Sequence, residues 1–207
     1  MEGCLFLVWS DKMSHYFEND QNLKSQLKKT SCSIFNKQFT FYTDNGVFAK
    51  KGVDYGSKLL LESIKDEDYS SILDVGCGYG TLGIILNKKY NCYTTMVDVT
   101  KRALHLTKKN IMENKCDNVE VFESDAYQNV DKKYDLIVTN PPIHAGKKKV
   151  YEILIDAKKY LNDNGKLYFV IHKDQGAKSV VKDLSDIYKI EVVKKDKGFF
   201  IILAENS

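Results

Sequence analysis

Residues 71–83 read Ser-Ile-Leu-Asp-Val-Gly-Cys-Gly-Tyr-Gly-Thr-Leu-Gly. A short apolar run (Ile72, Leu73, Val75) stops at Gly76, Gly78 and Gly80, and a segment with helical apolar spacing follows. That order predicts a buried strand, a tight turn and a helix start. Alternate glycines allow positive φ and let a ligand approach the main chain closely. At the carboxyl end of a strand in an α/β sheet, such a turn is where nucleotide-like ligands sit.

The rest of the chain repeats the alternation. Strands are predicted at Ser71–Val75, Tyr93–Asp98, Val119–Glu123, Tyr134–Thr139 and 166–171. Helices are predicted at 57–64, at 101–114 with Thr100 as N-cap, at 149–161 with a stop at Asn164-Gly165, and at 175–188. Alternation of this kind gives a mainly parallel sheet covered on both faces. The last two strands, 190–193 and 198–204, have only 194–197 between them and so must pair as an antiparallel hairpin. Upstream, runs at 31–35 and 39–43 around Asn36-Lys37-Gln38 predict a small hairpin, and Asp44-Asn45-Gly46 predicts a turn. The expected fold is therefore α/β, a Rossmann-like, doubly wound, seven-stranded sheet with a terminal antiparallel hairpin and a small N-terminal β-hairpin extension. The expected division is an N-terminal extension over 1–30, partly irregular with 1–12 outside the fold, and one domain over 31–207.

Composition narrows the setting. Five cysteines with no Cys-x-x-Cys pair fit neither a zinc site nor a disulfide framework, so no metal and a reducing, cytoplasmic location are expected. No apolar run approaches the ~20 residues of a membrane span, and no basic region precedes the short apolar segment 3–9, so no membrane or signal segment is expected. The net charge of +3 is mild, but the 31 basic residues include one arginine, Arg102. Any phosphate-binding surface must then use lysines as point charges rather than guanidinium forks. Lys147-Lys148-Lys149 is either such a surface or a solvated helix start.

Four strand ends carry candidate chemistry. Asp74, two residues before the first glycine, suits a ligand ammonium group or caps the next helix. Asp98 lies 20 residues beyond Gly78, where a carboxylate accepts from ribose hydroxyls. Asp125 can accept from an adenine amino group. The two prolines of the chain stand together in Asn140-Pro141-Pro142-Ile143 at the fourth strand end. Proline fixes φ and cannot continue a ladder, so this turn is rigid. The Asn140 side-chain carbonyl and the Pro141 backbone carbonyl can together accept both hydrogens of a planar exocyclic amine.

With those motifs in place, the chain resembles the class I S-adenosylmethionine-dependent methyltransferases. More closely, it is similar to the methyltransferase domain of the guanine-N2 methyltransferases of small-subunit ribosomal RNA. The resemblance covers about residues 36–204. It includes Thr43-Asp44-Asn45-Gly46-Val47-Phe48, Val53-Asp54-Tyr55-Gly56-Ser57 and Asn140 through Lys147, besides the glycine turn. It implies S-adenosyl-L-methionine as cofactor. Asp74, Gly76, Gly78 and Gly80 would surround its methionine part, Asp98 its ribose, Asp125 and Ala126 its adenine. Asn140, which also borders the cofactor, Pro141, Pro142 and Ile143 would form the catalytic turn, with Phe48 and Ser57 closing over the cofactor. The implied partner is ribosomal RNA or the small ribosomal subunit.

Ile143 departs from the pattern, since many amino-methyltransferases carry an aromatic residue there to stack on the flipped base. Phe48, Tyr42 and Phe199 are the candidate substitutes. Methylation of a protein glutamine amide, and a non-catalytic RNA-binding assembly role, are the alternative readings.

Overall fold

The computed structural model of the chain describes residues 26–44 and 52–206. Residues 1–12, most of the expected lead-in, Phe48 and the Asn45–Gly46 part of the expected turn lie outside the described residues.

Strands β1 (Lys28–Ile34) and β2 (Lys37–Thr43) form the small hairpin. β1 begins inside the stretch expected to be lead-in. The turn is Phe35-Asn36, with φ of 51° and 57°, rather than 36–38. Two left-handed residues in a two-residue loop match the right-handed twist of paired strands, and Asn36 tolerates that conformation. After it comes helix α1 (Tyr55–Ser63), two residues earlier than expected, because the Asp54 side chain accepts from Ser57 N–H at 3.0 Å and caps it. An Asp cap of this kind stabilises by about 1 kcal/mol.

The main sheet contains β3 (Ser71–Val75), β4 (Tyr93–Asp98), β5 (Val119–Glu123), β6 (Tyr134–Thr139), β7 (Leu161–His172), β8 (Lys189–Asp196) and β9 (Phe199–Glu205). Their order is β5-β4-β3-β6-β7-β9-β8. The first five neighbours are parallel, and β9 runs antiparallel to both β7 and β8. Helices α2 (Thr81–Tyr90), α3 (Lys101–Glu113), α4 (Lys147–Asp156) and α5 (Ala177–Leu184) complete the layers. Side-chain alternation splits the core in two. Ile72, Leu136 and Val138 pack with α1, α2, α3 and the hairpin, whereas Leu73, Ile137 and Phe169 pack with α4 and α5. No helix among the described residues is long and apolar enough to cross a membrane.

Further boundaries differ from expectation in the second half of the chain, each for a local reason. The helix expected over 149–161 ends at Asp156, passes through a 3-10 turn at Ala157–Tyr160, and gives way to a strand at Leu161. Asn164-Gly165 is a bulge in β7, not a helix stop. The register jumps from Tyr134↔Leu161 to Leu136↔Lys166, and a Cβ on Gly165 would stand 2.8 Å from the Asn162 carbonyl oxygen. The helix expected over 175–188 is shortened to α5 because Gly176, at φ 82°, separates it from a 3-10 turn. The terminal hairpin is longer than expected, since Lys197-Gly198 (φ 44° and 85°) closes it in two residues.

The small hairpin is tied to α3 by two asparagines one helical turn apart. Asn110 accepts from Tyr42 N–H (2.7 Å) and donates to Tyr42 O (3.1 Å). Asn114 does the same for Thr40 N–H (3.1 Å) and Thr40 O (2.8 Å). Each side-chain amide substitutes for the peptide of a neighbouring strand and satisfies β2 on that edge. Arg102 Nε, 3.3 Å from Oδ2 of the buried Asp44, adds an ion pair at the start of α3. The single arginine thus serves the fold.

Candidate active site

The strand order reverses between β3 and β6. From β3 the chain builds outward through β4 to β5, then returns to place β6 on the other side of β3. A crevice opens at the carboxyl ends of the two strands where the order reverses. Gly76 follows β3 and Asn140 follows β6, so the glycine and proline turns meet at that crevice. A Cβ added to Gly76 would lie 3.8 Å from Pro142 Cδ, and Thr139 Oγ1 donates to Val75 O at 2.8 Å.

The glycine turn is held from below and open above. Gly76 and Cys77 both donate to Val97 O at 2.9 Å. Gly78 N–H donates to Asp98 Oδ2 at 3.0 Å, and its carbonyl accepts from Thr107 Oγ1 at 2.8 Å. Gly76, Gly78 and Gly80 all have positive φ. A Cβ on Gly80 would crowd Ile84 and Thr107, whereas one on Gly78 would meet nothing within 4 Å. Gly80 is therefore small for packing, and Gly78 faces open space. Cys77 is buried in this turn, where burial and the charges of Asp74 and Asp98 push its thiol well above its ordinary value, so it is no nucleophile.

Asp74 is fully enclosed. Its Oδ2 accepts from Gly83 N–H at 2.8 Å in the first turn of α2, while its Oδ1 has no hydrogen-bond partner among the described residues. Burial pushes its carboxyl up to about 7, the Gly83 amide opposing and the Asp98 charge adding to the rise. Glycine at 83 lets the helix come this close, since a Cβ there would stand 2.5 Å from Met96 Cγ.

Asp98 accepts from Thr100 N–H through Oδ1 (2.8 Å) and from Gly78 N–H through Oδ2. Thr100 is the N-cap of α3, but its side chain makes no capping bond; its hydroxyl turns to Asp98 instead. Burial raises the Asp98 carboxyl and the Thr100 and Gly78 amides oppose it. A carboxylate offers about four acceptor sites, so a diol at Asp98 would compete with the Thr100 hydroxyl for them. Ser124 N–H donates to Asp98 O at 3.1 Å and brings the next turn alongside. There Ala126 is buried at φ 50°, and its carbonyl accepts from Ser124 Oγ at 2.9 Å. Asp125 is exposed and paired with Lys149 Nζ at 2.9 Å. Lys149 also contacts Glu152 at 2.8 Å, so this lysine of the 147–149 run turns inward rather than toward a phosphate.

At the proline turn, the Pro142 carbonyl accepts from Ala145 N–H at 3.0 Å within the 3-10 turn Ile143–Ala145. No donor among the described residues reaches the Pro141 carbonyl. The Ile143 side chain lies outside the description. Asn140 Nδ2 donates to Ser57 Oγ at 3.0 Å and lies 3.4 and 3.5 Å from Asp54 Oδ1 and Oδ2. Ser57, expected over the cofactor, is thus placed against Asn140. Of the three substitute aromatics, Tyr42 belongs to the small hairpin, where Lys109 Nζ stands 3.9 Å from its ring centroid. Phe199 lies beside α1, with its ring 3.0 Å from where a Gly56 Cβ would stand. Sequence reasoning missed the contributions of Asp54, Thr107 and Ser124, and read Lys149 only as part of the lysine run. Only Asp54 had a visible signal, as an N-cap residue three positions before Ser57.

Fold and site together define an α/β protein with a nucleotide-type ligand turn facing a rigid carbonyl-bearing turn. Residues 38–203 match the family model for the methyltransferase small domain, and the chain belongs to that family. It is 41% identical over 196 residues to the uncharacterized protein YbxB of Bacillus subtilis (strain 168), covering 92% of this chain and 98% of that one. It is 36% identical over 139 residues to ribosomal RNA small subunit methyltransferase C of Haemophilus influenzae (strain PittGG), covering 65% of this chain. The match spans 42% of that relative's length. Among solved structures, the Thermus thermophilus 16S rRNA N2 G1207 methyltransferase (RsmC), in complex with AdoMet and guanosine, superposes with a TM-score of 0.80. Sequence identity is 23%, with 89% of this chain and 52% of that one covered. Ribosomal protein L11 methylase from Lactobacillus delbrueckii subsp. bulgaricus superposes with a TM-score of 0.63 at 19% identity, covering 73% of this chain and 77% of that one. Both solved structures share the fold of this chain, and fold alone does not assign a substrate.

Proposed function

We propose that this chain transfers a methyl group from S-adenosyl-L-methionine to the exocyclic amino group of an RNA base, guanine N2 of small-subunit ribosomal RNA. The observation that carries the reading is the meeting of the Gly76 turn with the Asn140-Pro141-Pro142 turn at the strand-order reversal. The names of the Haemophilus and Thermus relatives support RNA as the substrate class.

The residues present fit the cofactor. The unpartnered Asp74 Oδ1 suits an ammonium group, Gly78 leaves open space for a ligand, and Asp98 can take a ribose diol. Asp125 and Ala126 lie at the next strand end, where an adenine ring would reach them. When bound, S-adenosyl-L-methionine supplies a methyl group already activated by its sulfonium. The protein's task is then alignment. The Asn140 side-chain carbonyl and the Pro141 carbonyl accept the two hydrogens of the target amine, which turns the nitrogen lone pair toward the donor side. The positive charge that would develop on the target nitrogen as it took the methyl group would be stabilised by these two carbonyl dipoles. The surplus proton is then lost to water. The base must leave its stack to reach the crevice.

The test is transfer of labelled methyl from S-adenosyl-L-methionine to small-subunit RNA, assembled small subunits and ribosomal protein, followed by nucleoside mass spectrometry. N2-methylguanosine in RNA is the expected product. Label confined to protein would replace this reading with the glutamine-amide one.

A further inference from the structure

We infer that Asp54 is a positioning residue, one that fixes which end of the Asn140 amide faces the substrate and so selects amino groups over carbonyl groups. The inference rests on the reading of Asn140 given above.

An asparagine side chain is ambiguous in principle: turned one way it presents an acceptor, turned the other way a donor pair. Its surroundings decide which. The nearer partner, Ser57 Oγ at 3.0 Å, does not, since a hydroxyl both donates and accepts. Asp54 does. Its carboxylate can only accept, and both oxygens lie 3.4–3.5 Å from Asn140 Nδ2. Rotating the amide by half a turn would set the Asn140 oxygen against that carboxylate, two acceptors with no hydrogen between them. The Asp54 side chain is itself held, because Oδ1 accepts from Ser57 N–H at 3.0 Å as the N-cap of α1. No donor among the described residues reaches Asn140 Oδ1. The amide therefore shows the crevice an acceptor, which suits an N–H donor such as an aromatic amine and rejects a ring carbonyl. The same alignment serves the reaction. Charge gathering on the target nitrogen polarises the Asn140 amide, and the carboxylate on its far side favours that polarisation.

The role separates cleanly from capping. Asn caps a helix about as well as Asp, so Asp54→Asn keeps the α1 cap but replaces an acceptor-only group with one that can also donate. In that variant either orientation of Asn140 finds a partner. The experiment compares wild type, Asp54→Asn, Ser57→Ala, Asn140→Ala and the Asp54→Asn/Asn140→Ala double variant. It uses the full chain, labelled S-adenosyl-L-methionine and small-subunit RNA, with rates referred to the cofactor-binding-competent fraction. Asp54→Asn is expected to bind the cofactor within about twofold of wild type with RNA KM unchanged, and to lose about tenfold in kcat. Ser57→Ala, which leaves Asp54 in place, should lose less. In the Asn140→Ala background, Asp54→Asn should cost nothing further, because its effect passes through Asn140. Wild-type kcat in Asp54→Asn beside a crippled Asn140→Ala would overturn the role of Asp54 and leave Asn140 as the amine acceptor. Undiminished kcat in both would overturn the reading of Asn140 itself. An equal loss from Asp54→Asn with and without Asn140 would also overturn the inference, by showing a structural role.

Discussion

A side-chain carbon placed on Gly76 would stand 3.8 Å from Pro142 Cδ, in ordinary van der Waals contact. The glycine turn and the proline turn, far apart along the chain, are neighbours because β3 and β6 pair in parallel with Asp74 opposite Val138. The two turns proposed as donor and acceptor sides are thus brought together by one strand pairing.

Gly78 and Gly176 make a matched test of the donor side. Both have positive φ, 58° and 82°, and a Cβ on either meets nothing within 4 Å. Alanine at either position costs about 1–2 kcal/mol of backbone strain, which lowers Tm by roughly 2–8 °C in a chain of this size. Only Gly78→Ala should weaken S-adenosyl-L-methionine, by tenfold or more in a calorimetric titration. Equal affinities in the two variants would remove the glycine turn from the cofactor site.

Asp74 gives a pH signature. Its carboxyl rises from 3.8 to about 7 on folding, chiefly through burial. The folded state therefore holds the proton more tightly than the unfolded one. This contribution to stability is fully present below about 4 and is lost as pH rises through about 7. Asp74→Asn, neutral at every pH, should match wild type near pH 4 and exceed it by about 4 kcal/mol above pH 7 in denaturant unfolding. An ammonium-bearing cofactor prefers the ionised carboxylate, so wild-type affinity should grow between pH 6 and 8 and the variant's should not. A pH-independent difference in stability would contradict the burial argument.

Asn110 should be the most costly polar residue of α3 to remove. It is fully buried, and its amide serves Tyr42 N–H, Tyr42 O and Tyr79 O, the last at 2.8 Å. Asn110→Ala removes these three hydrogen bonds and should cost about 3 kcal/mol in chemical unfolding. Asn114→Ala, whose residue is less buried, should cost about 1 kcal/mol.

Much of this was legible in the sequence because buried strands have a short period and sharp ends. Ser71–Val75, Tyr93–Asp98, Val119–Glu123 and Tyr134–Thr139 have the predicted bounds. Backbone-specific features were less visible. Gly165 reads as a helix stop in sequence, yet it is small because Asn162 and Tyr134 carbonyls crowd it. Lys149 reads as either a phosphate grip or a solvated helix start, and only the fold brings Asp125 within 2.9 Å of it. The neighbours of Asn140 come from α1, across the crevice, and no local pattern announces such a contact.

The most direct measurement is single-turnover methyl transfer by Asn140→Ala, with cofactor affinity measured on the same preparation. A donor turn and an acceptor turn with separate tasks predict S-adenosyl-L-methionine affinity within about threefold of wild type and a transfer rate lower by about a hundredfold or more. Wild-type transfer to small-subunit RNA by Asn140→Ala would contradict the account at its centre.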